Sequence, residues 1–223
     1  MLHKMCKVFR ANQVALACLT TALAPLTGCA GHIRYPSYYA LNLPAPKPPA
    51  TQARPLPGVV AVREFSAPAF LRTGSIVYRP SADEVGFSPY DRWAVDLRHS
   101  VTSAVLRNIG SADVFQSAHL FDGREASDYL LTGTLDDLEE VDRGREVFVE
   151  VRVSAQLTDL RTGHVVWRDT ASETSRVEQR AMPGVVAELS HGTESAVERL
   201  VSSLENYVAS QSASLARAQA GQQ

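Results

Sequence analysis

The chain has 223 residues, 45% hydrophobic and 21% charged, which is the composition of a globular protein rather than a disordered, collagenous or disulfide-stapled one. Its 22 Lys and Arg against 24 Asp and Glu leave a formal charge of -2, which excludes the basic footprint of a nucleic-acid binder. Cys6, Cys18 and Cys29, the 3 cysteines, match no zinc spacing and form no complete disulfide framework.

All three cysteines fall in an N-terminal segment with the pattern of an export signal. Lys4, Lys7 and Arg10 precede the uncharged, largely apolar run Val14 to Leu26, which is shorter than the roughly 20 helical residues a membrane span needs. Leu26, Thr27, Gly28 and Cys29 then resemble the bacterial lipobox, in which a peptidase cuts immediately before a cysteine that becomes acylated. Residues 1–28 are therefore read as a signal peptide of lipoprotein type and Cys29 as the lipidated mature N-terminus. Cleavage discards Cys6 and Cys18 and acylation consumes Cys29, so no free thiol remains in an oxidising compartment. Two or three acyl chains, at about 0.8 kcal/mol per buried CH₂, hold far more firmly than one myristoyl group. Ala30, where Asp would retain the protein at the inner membrane by enterobacterial sorting rules, points to the outer membrane, facing the periplasm. The exported chain keeps 19 basic against 24 acidic residues, a charge of -5. That balance argues against broad adhesion to anionic lipid.

Residues 29–56 are read as the lipidated cysteine and a proline-rich tether, since seven of the 12 prolines lie between Pro36 and Pro57. Within it, Ser37 to Leu43 is expected to form an edge strand, with Tyr38 and Tyr39 docking back onto the body. Gly58 to Phe65 and Ser75 to Arg79 read as strands. Ser88, Pro89 and Asp91 carry the pattern of a helix start with Ser88 as N-cap, predicting a helix to about Ile109 with Trp93, Leu97, Val101, Ala104 and Val105 on its buried stripe.

Three long strands follow, about Ser127–Val141, Glu146–Asp159 and His164–Val177. The middle one alternates Val147, Val149, Val151, Val153, Ala155 and Leu157 with Phe148, Glu150, Arg152, Ser154, Gln156 and Thr158, so one sheet face is covered and the other is wet. Turns at 142–145 and 160–163, with Gly144 and Gly163 placed for positive φ, join the three into an antiparallel meander. Leu138 breaks the parity of Tyr129, Leu131 and Leu135, which predicts a bulge near Asp136 and Asp137. A last helix is expected over about Pro183–Ser210, with Val186, Leu189, Val197, Leu200, Leu204 and Tyr207 as its stripe. The expected fold is α+β, an antiparallel sheet with a three-strand meander and two helices packed on one face, over residues 57–210, with 211–223 a flexible polar tail.

Several short motifs together resemble the ABC-type transport auxiliary lipoproteins, the PqiC-like family that accompanies transporters bearing MCE domains. They are Tyr38-Tyr39-Ala40-Leu41, then 67–72 (APAFLR) leading into 75–79 (SIVYR), 90–94 (YDRWA), and 162–167 (TGHVVW), in this order behind a lipobox. The resemblance covers most of the mature chain. It implies a non-catalytic auxiliary subunit of an envelope transport system for lipids or other hydrophobic molecules, docked to an MCE-domain subunit.

The chemistry-bearing residues fit that reading. The 86–90 segment (GFSPY) lacks the final glycine of a hydrolase elbow, and Asp96, His99 and Ser100 are helical neighbours without an oxyanion hole, so an anchored hydrolase using Ser88 or Ser100 is the alternative rather than the expectation. A structural or stress-related envelope lipoprotein is another. The histidines have no zinc spacing, the acidic run Asp136, Asp137, Glu139, Glu140 and Asp142 lacks the order of a calcium loop, and no phosphate loop follows a strand; no metal or cofactor is expected. Tyr78, Arg79, Tyr90, Arg92 and Trp93 join aromatic area to planar cations and are the partner-binding candidates, with Trp93 weighed against a core position. Long strands with open edges also raise assembly of several copies into a ring.

Overall fold

The computed structural model describes residues 34–46 and 56–220; the lipobox and Cys29 lie outside them. The chain divides into Met1–Tyr35 and Pro36–Gln223, and the regular elements among the described residues belong to the second unit. They are β1 (Ser37–Tyr39), β2 (Leu56–Val62), a 3₁₀ turn (Ala69–Arg72), β3 (Ser75–Ser81), β4 (Glu84–Trp93), α1 (Leu97–Ser111), β5 (Phe115–Leu120), β6 (Tyr129–Arg143), β7 (Glu146–Asp159), β8 (Val165–Arg176) and α2 (Met182–Ala220). The fold is α+β, with one eight-stranded sheet.

That sheet is mixed, which corrects the antiparallel expectation. β6–β7 and β7–β8 pair antiparallel, as does β3–β4, but β1–β4, β2–β5, β2–β6 and β3–β6 are parallel. The reason lies in β6, whose length exceeds that of its neighbours. One edge of β6 is taken by β7 from end to end; the other is shared by β2 opposite Tyr129–Leu131, Ser66 opposite Thr134, and β3 opposite Glu140 and Val141. The chain from β2 to β3 thus runs once along β6, and the sheet forks into a β2–β5 arm and a β3–β4–β1 arm.

The β7 alternation does what the sequence requires. Val147, Val149, Val151, Val153, Ala155 and Leu157 are all buried, and α2 packs over them so closely that a Cβ on Gly192 would lie 3.1 Å from Val151 Cγ2. The β6 bulge falls between Leu135 and Asp137, and it turns both Leu135 and Leu138 into the core. Helix α1 contributes Leu97, Val101, Ala104, Val105 and Ile109 to the same hydrophobic cluster as α2. Thr102, buried beside them, donates to the Arg98 carbonyl (2.7 Å) and accepts from the Phe65 N–H (2.9 Å), so no polar atom of the hydroxyl is stranded.

The N-terminus of α1 corrects a second expectation. Residues 88–91 belong to β4, and the N-cap is Asp96, whose carboxylate accepts from the Arg98 N–H. The cap-like pattern is nonetheless real hydrogen bonding: Ser88 Oγ accepts from the Asp91 N–H (3.1 Å) and donates to Asp91 Oδ2 (2.7 Å). It stabilises a bulge, because Val77 faces Phe87 while Ser75 faces Arg92. Trp93 consequently ends a strand instead of joining a helical stripe, although it is buried as that stripe required. At the other terminus α2 runs to Ala220, ten residues past the expected Ser210, through alanine-rich sequence with strong helix propensity.

Candidate docking surface

The segment expected as a tether is partly built into the body. β1 lies parallel on β4, with Ser37, Tyr38 and Tyr39 opposite Asp91, Arg92 and Trp93, and the Ala94 N–H donates to the Tyr39 carbonyl at 2.7 Å. Beyond β1, Leu41 and Leu43 pack on the core, the Asn42 N–H donates to Ser190 Oγ of α2 (3.1 Å), and the Arg107 guanidinium of α1 donates to the Leu43 carbonyl (3.1 Å). Residues 37–43 therefore form a strap from the sheet edge across both helices. The sequence carried one sign of it, the aromatic and apolar run between prolines; Ser190 and Arg107 carried none, because a single serine or arginine on a helix has no pattern.

The five candidate residues sit on the β3–β4 hairpin under this strap but do not form one cluster. Tyr78 lies opposite Gly86, and a Cβ there would come within 2.3 Å of Tyr78 Cζ, so the ring covers the glycine. Arg79 is turned inward: Nε and Nη2 clamp Glu139 of β6 at 2.8 and 3.1 Å, and Nη1 reaches the Ala82 carbonyl. The hydrogen bond to Glu139 raises the guanidinium's affinity for its proton, against the cost of desolvation. Glu139 is buried at 2% exposure and directly faces Glu150 across the β6–β7 ladder, where Arg143 pairs with Glu150. Each of two facing carboxylates thus holds its own arginine. Trp93 is core, with its indole N–H meeting no acceptor among the described residues. Tyr38, Tyr90 and Arg92 are left at the surface end, Tyr38 at 64% and Tyr90 at 38% exposure.

The groups considered for chemistry have other occupations. Ser88 is bound to Asp91, and Ser100 Oγ donates to the Asp96 carbonyl. The Asp96 carboxylate is gripped by Arg98 through Nε and Nη2, and that hydrogen bond, with the backbone one, holds it below the ordinary carboxylate range. In the acidic run, Asp137 pairs with Arg152 and Glu139 with Arg79, while burial pushes Glu140, on the opposite face, upward. Among the described residues no group of His, Cys, Asp and Glu is placed to hold a metal ion. Nor, among them, is any helix long and apolar enough to cross a membrane.

On the wet sheet face, Ser66, Thr132, Thr134, Ser154, Gln156 and Thr170 line an open polar trough of about 360 Å³. Its hydroxyls are linked, Ser66 to Thr134 at 2.8 Å, and Arg168 donates to Gln156. The alternation of β7 foretold a wet face, but the share of that face contributed by Ser66 depends on the fork of the sheet.

The fold recurs in solved structures. The Xanthomonas campestris protein XCC0632 superposes with a TM-score of 0.68 at 18% identity, over 80% of this chain and 99% of that one. An uncharacterized protein superposes with a TM-score of 0.58 at 16% identity, over 74% and 96%. No curated protein matches the sequence. The family model described as the ABC-type transport auxiliary lipoprotein component matches residues 39–201, from the strap to the buried middle of α2. The chain belongs to the family of ABC-type transport auxiliary lipoprotein components.

Proposed function

We propose that this auxiliary lipoprotein is a non-catalytic adaptor, acylated at Cys29 in the outer membrane and facing the periplasm, that docks the MCE-domain subunit of a transporter for lipids or other hydrophobic molecules. The observation that carries the reading is the family match across the strap, sheet and helices, behind a lipobox of the right order. The commitment of Ser88, Ser100 and Asp96 to local structure speaks against the anchored-hydrolase alternative. Assembly of copies into a ring belongs to the same reading. The sheet ends at β1, β5 and β8. Of these, β8 is partly closed, since Asp169 accepts its own neighbour's Thr170 N–H and Arg199 occupies the Ser172 carbonyl.

The test is an affinity pull-down from gently solubilised, crosslinked envelope, comparing the native protein with Cys29→Ala. Recovery of an MCE-domain subunit with the native protein, and its loss with the variant, is the expected result. Absence of any transporter component from both would refute the adaptor reading, and a monomeric mass by light scattering in mild detergent would refute the ring.

A further inference from the structure

We infer that the outward face of the β1–β4 edge, carrying Tyr38, Tyr90 and Arg92, rests on the headgroup layer of the membrane that holds the anchor. The inference deepens the proposed function and rests on its acylated Cys29.

Chain length supplies the first argument. Tyr38 is nine residues beyond Cys29, and a chain spans at most 3.3–3.6 Å per residue, so Tyr38 lies within roughly 30 Å of the acylated residue whatever path the leader takes. β1 does not lend extra length, because its three register pairs and the Ala94 to Tyr39 hydrogen bond tie it into the sheet. A compact body of this size has a radius of gyration of about 16 Å, hence a diameter of about 40 Å. The leash is shorter than the body it holds. The side from which the strap departs is therefore the membrane-proximal side.

Parity and chemistry supply the second. Tyr39 and its register partner Trp93 turn inward, so the neighbouring pair Tyr38 and Arg92 turns outward; Tyr90, in the β4 bulge two residues before Arg92, is itself exposed. A tyrosine ring is apolar along its body and polar at its tip, which suits the boundary between acyl chains and water. Arg92 beside it supplies a cation suited to lipid phosphates. The body's acidic balance gives no general adhesion to such a surface, so a local aromatic and cationic face is what can sit there.

The test uses the full acylated chain in vesicles of phosphatidylethanolamine and phosphatidylglycerol, with a nitroxide label at Tyr38→Cys or, as reference, at Thr170→Cys. Thr170 is exposed on β8, five inter-strand steps or about 24 Å across the sheet from β1. Tyr90→Cys repeats the measurement from β4, independently of any disturbance of β1. Co-flotation with the vesicles, with a water-soluble relaxing agent reaching positions 38 and 90 several-fold less than 170, is the expected result. Equal access at all three positions on floating vesicles would overturn the inference while leaving the anchor intact. Protection that arises only on adding solubilised envelope proteins would assign the face to a protein partner and overturn it too. Failure to float would overturn the acylation reading itself, and this inference with it.

Discussion

Arg79→Met separates a structural arginine from a docking one. The substitution keeps much of the side chain's apolar length but removes both charge-assisted hydrogen bonds to Glu139, at 2.8 and 3.1 Å. The surviving carboxylate has a side chain only 3% exposed and faces Glu150 across the ladder. Removing one partner of a fully buried pair costs about 3–5 kcal/mol; Arg79 is 24% exposed, which admits some water and sets the expectation at the lower end, about 3 kcal/mol. For a domain of this size that is a fall in Tm of roughly 6–12 °C. Arg79→Lys keeps the charge but not the fork and should lose less, about 1–2 kcal/mol. The double variant Arg79→Met, Glu139→Met should recover most of the loss, because no buried charge is then left unpaired. Urea unfolding at pH 7, followed by far-ultraviolet circular dichroism, measures all three. If Arg79→Met unfolds within about 0.5 kcal/mol of the native protein, the range of an ordinary surface substitution, while transporter capture falls, the ion pair is not structural and Arg79 belongs to the docking face.

Gly133→Ala should cost about 1–3 kcal/mol in the same assay, since a Cβ there would lie 2.2 Å from Phe65 Cε1 and Phe65 is buried with no room to retreat. Gly86→Ala should cost clearly less, because the ring it would strike, Tyr78, is only half-buried and can swing outward. Glu140 titrates above the ordinary carboxylate range because burial disfavours its charge and Asp142 repels it, with Arg180 opposing. Its neutral form is the one the fold favours, so its contribution is intact below about pH 4 and is lost as pH rises through the raised value. Glu140→Gln should therefore be the more stable protein at pH 7, with the gap closing toward pH 4 in parallel urea melts. Ser190→Ala removes the acceptor of the Asn42 N–H and should cost about 0.5–1 kcal/mol and admit limited proteolysis within residues 40–46 sooner than in the native protein.

What could be read from the sequence was local. The β7 alternation, the β6 bulge, the turn glycines and the buried stripe of α1 all depend on residues within one or two turns of each other, and periodicity records them directly. Pairing between distant segments leaves no such record. Nothing in Gly58 to Phe65 or Ser75 to Arg79 states that both will lie parallel along one edge of β6, because that depends on β6 being long enough to seat them in succession. The Ser88 to Asp91 pattern shows the same limit from the other side. A hydroxyl, an acid three residues on and an intervening proline satisfy the same backbone donor at a helix start and in a strand bulge, and the pairing of Ser75 with Arg92 decides between them. Of the candidate surface, residue type was legible and orientation was not. Arg79 and Arg92 look equivalent in the chain until Glu139 draws one of them inward.

Under the proposed acylation of Cys29, the strap changes what the anchor does. A spacer of 28 residues ending at position 56 would let the body range widely over the membrane and meet a partner at many angles. With residues 37–43 fastened to β4, α1 and α2, the chain between that proposed anchor and the body ends at Ser37 rather than at position 56. Strap and candidate face share β4: Asp91, Arg92 and Trp93 carry β1 on one edge, while the hairpin's other strand, β3, is held to β6, by the Arg79–Glu139 pair among other contacts. Force that reaches β1 is carried into the sheet through β4, β3 and β6. The proposed adaptor role, presenting one defined side to a transporter, needs that continuity, and loosening it at Arg79 or at Ser190 should blur the docking angle before it abolishes the proposed anchor.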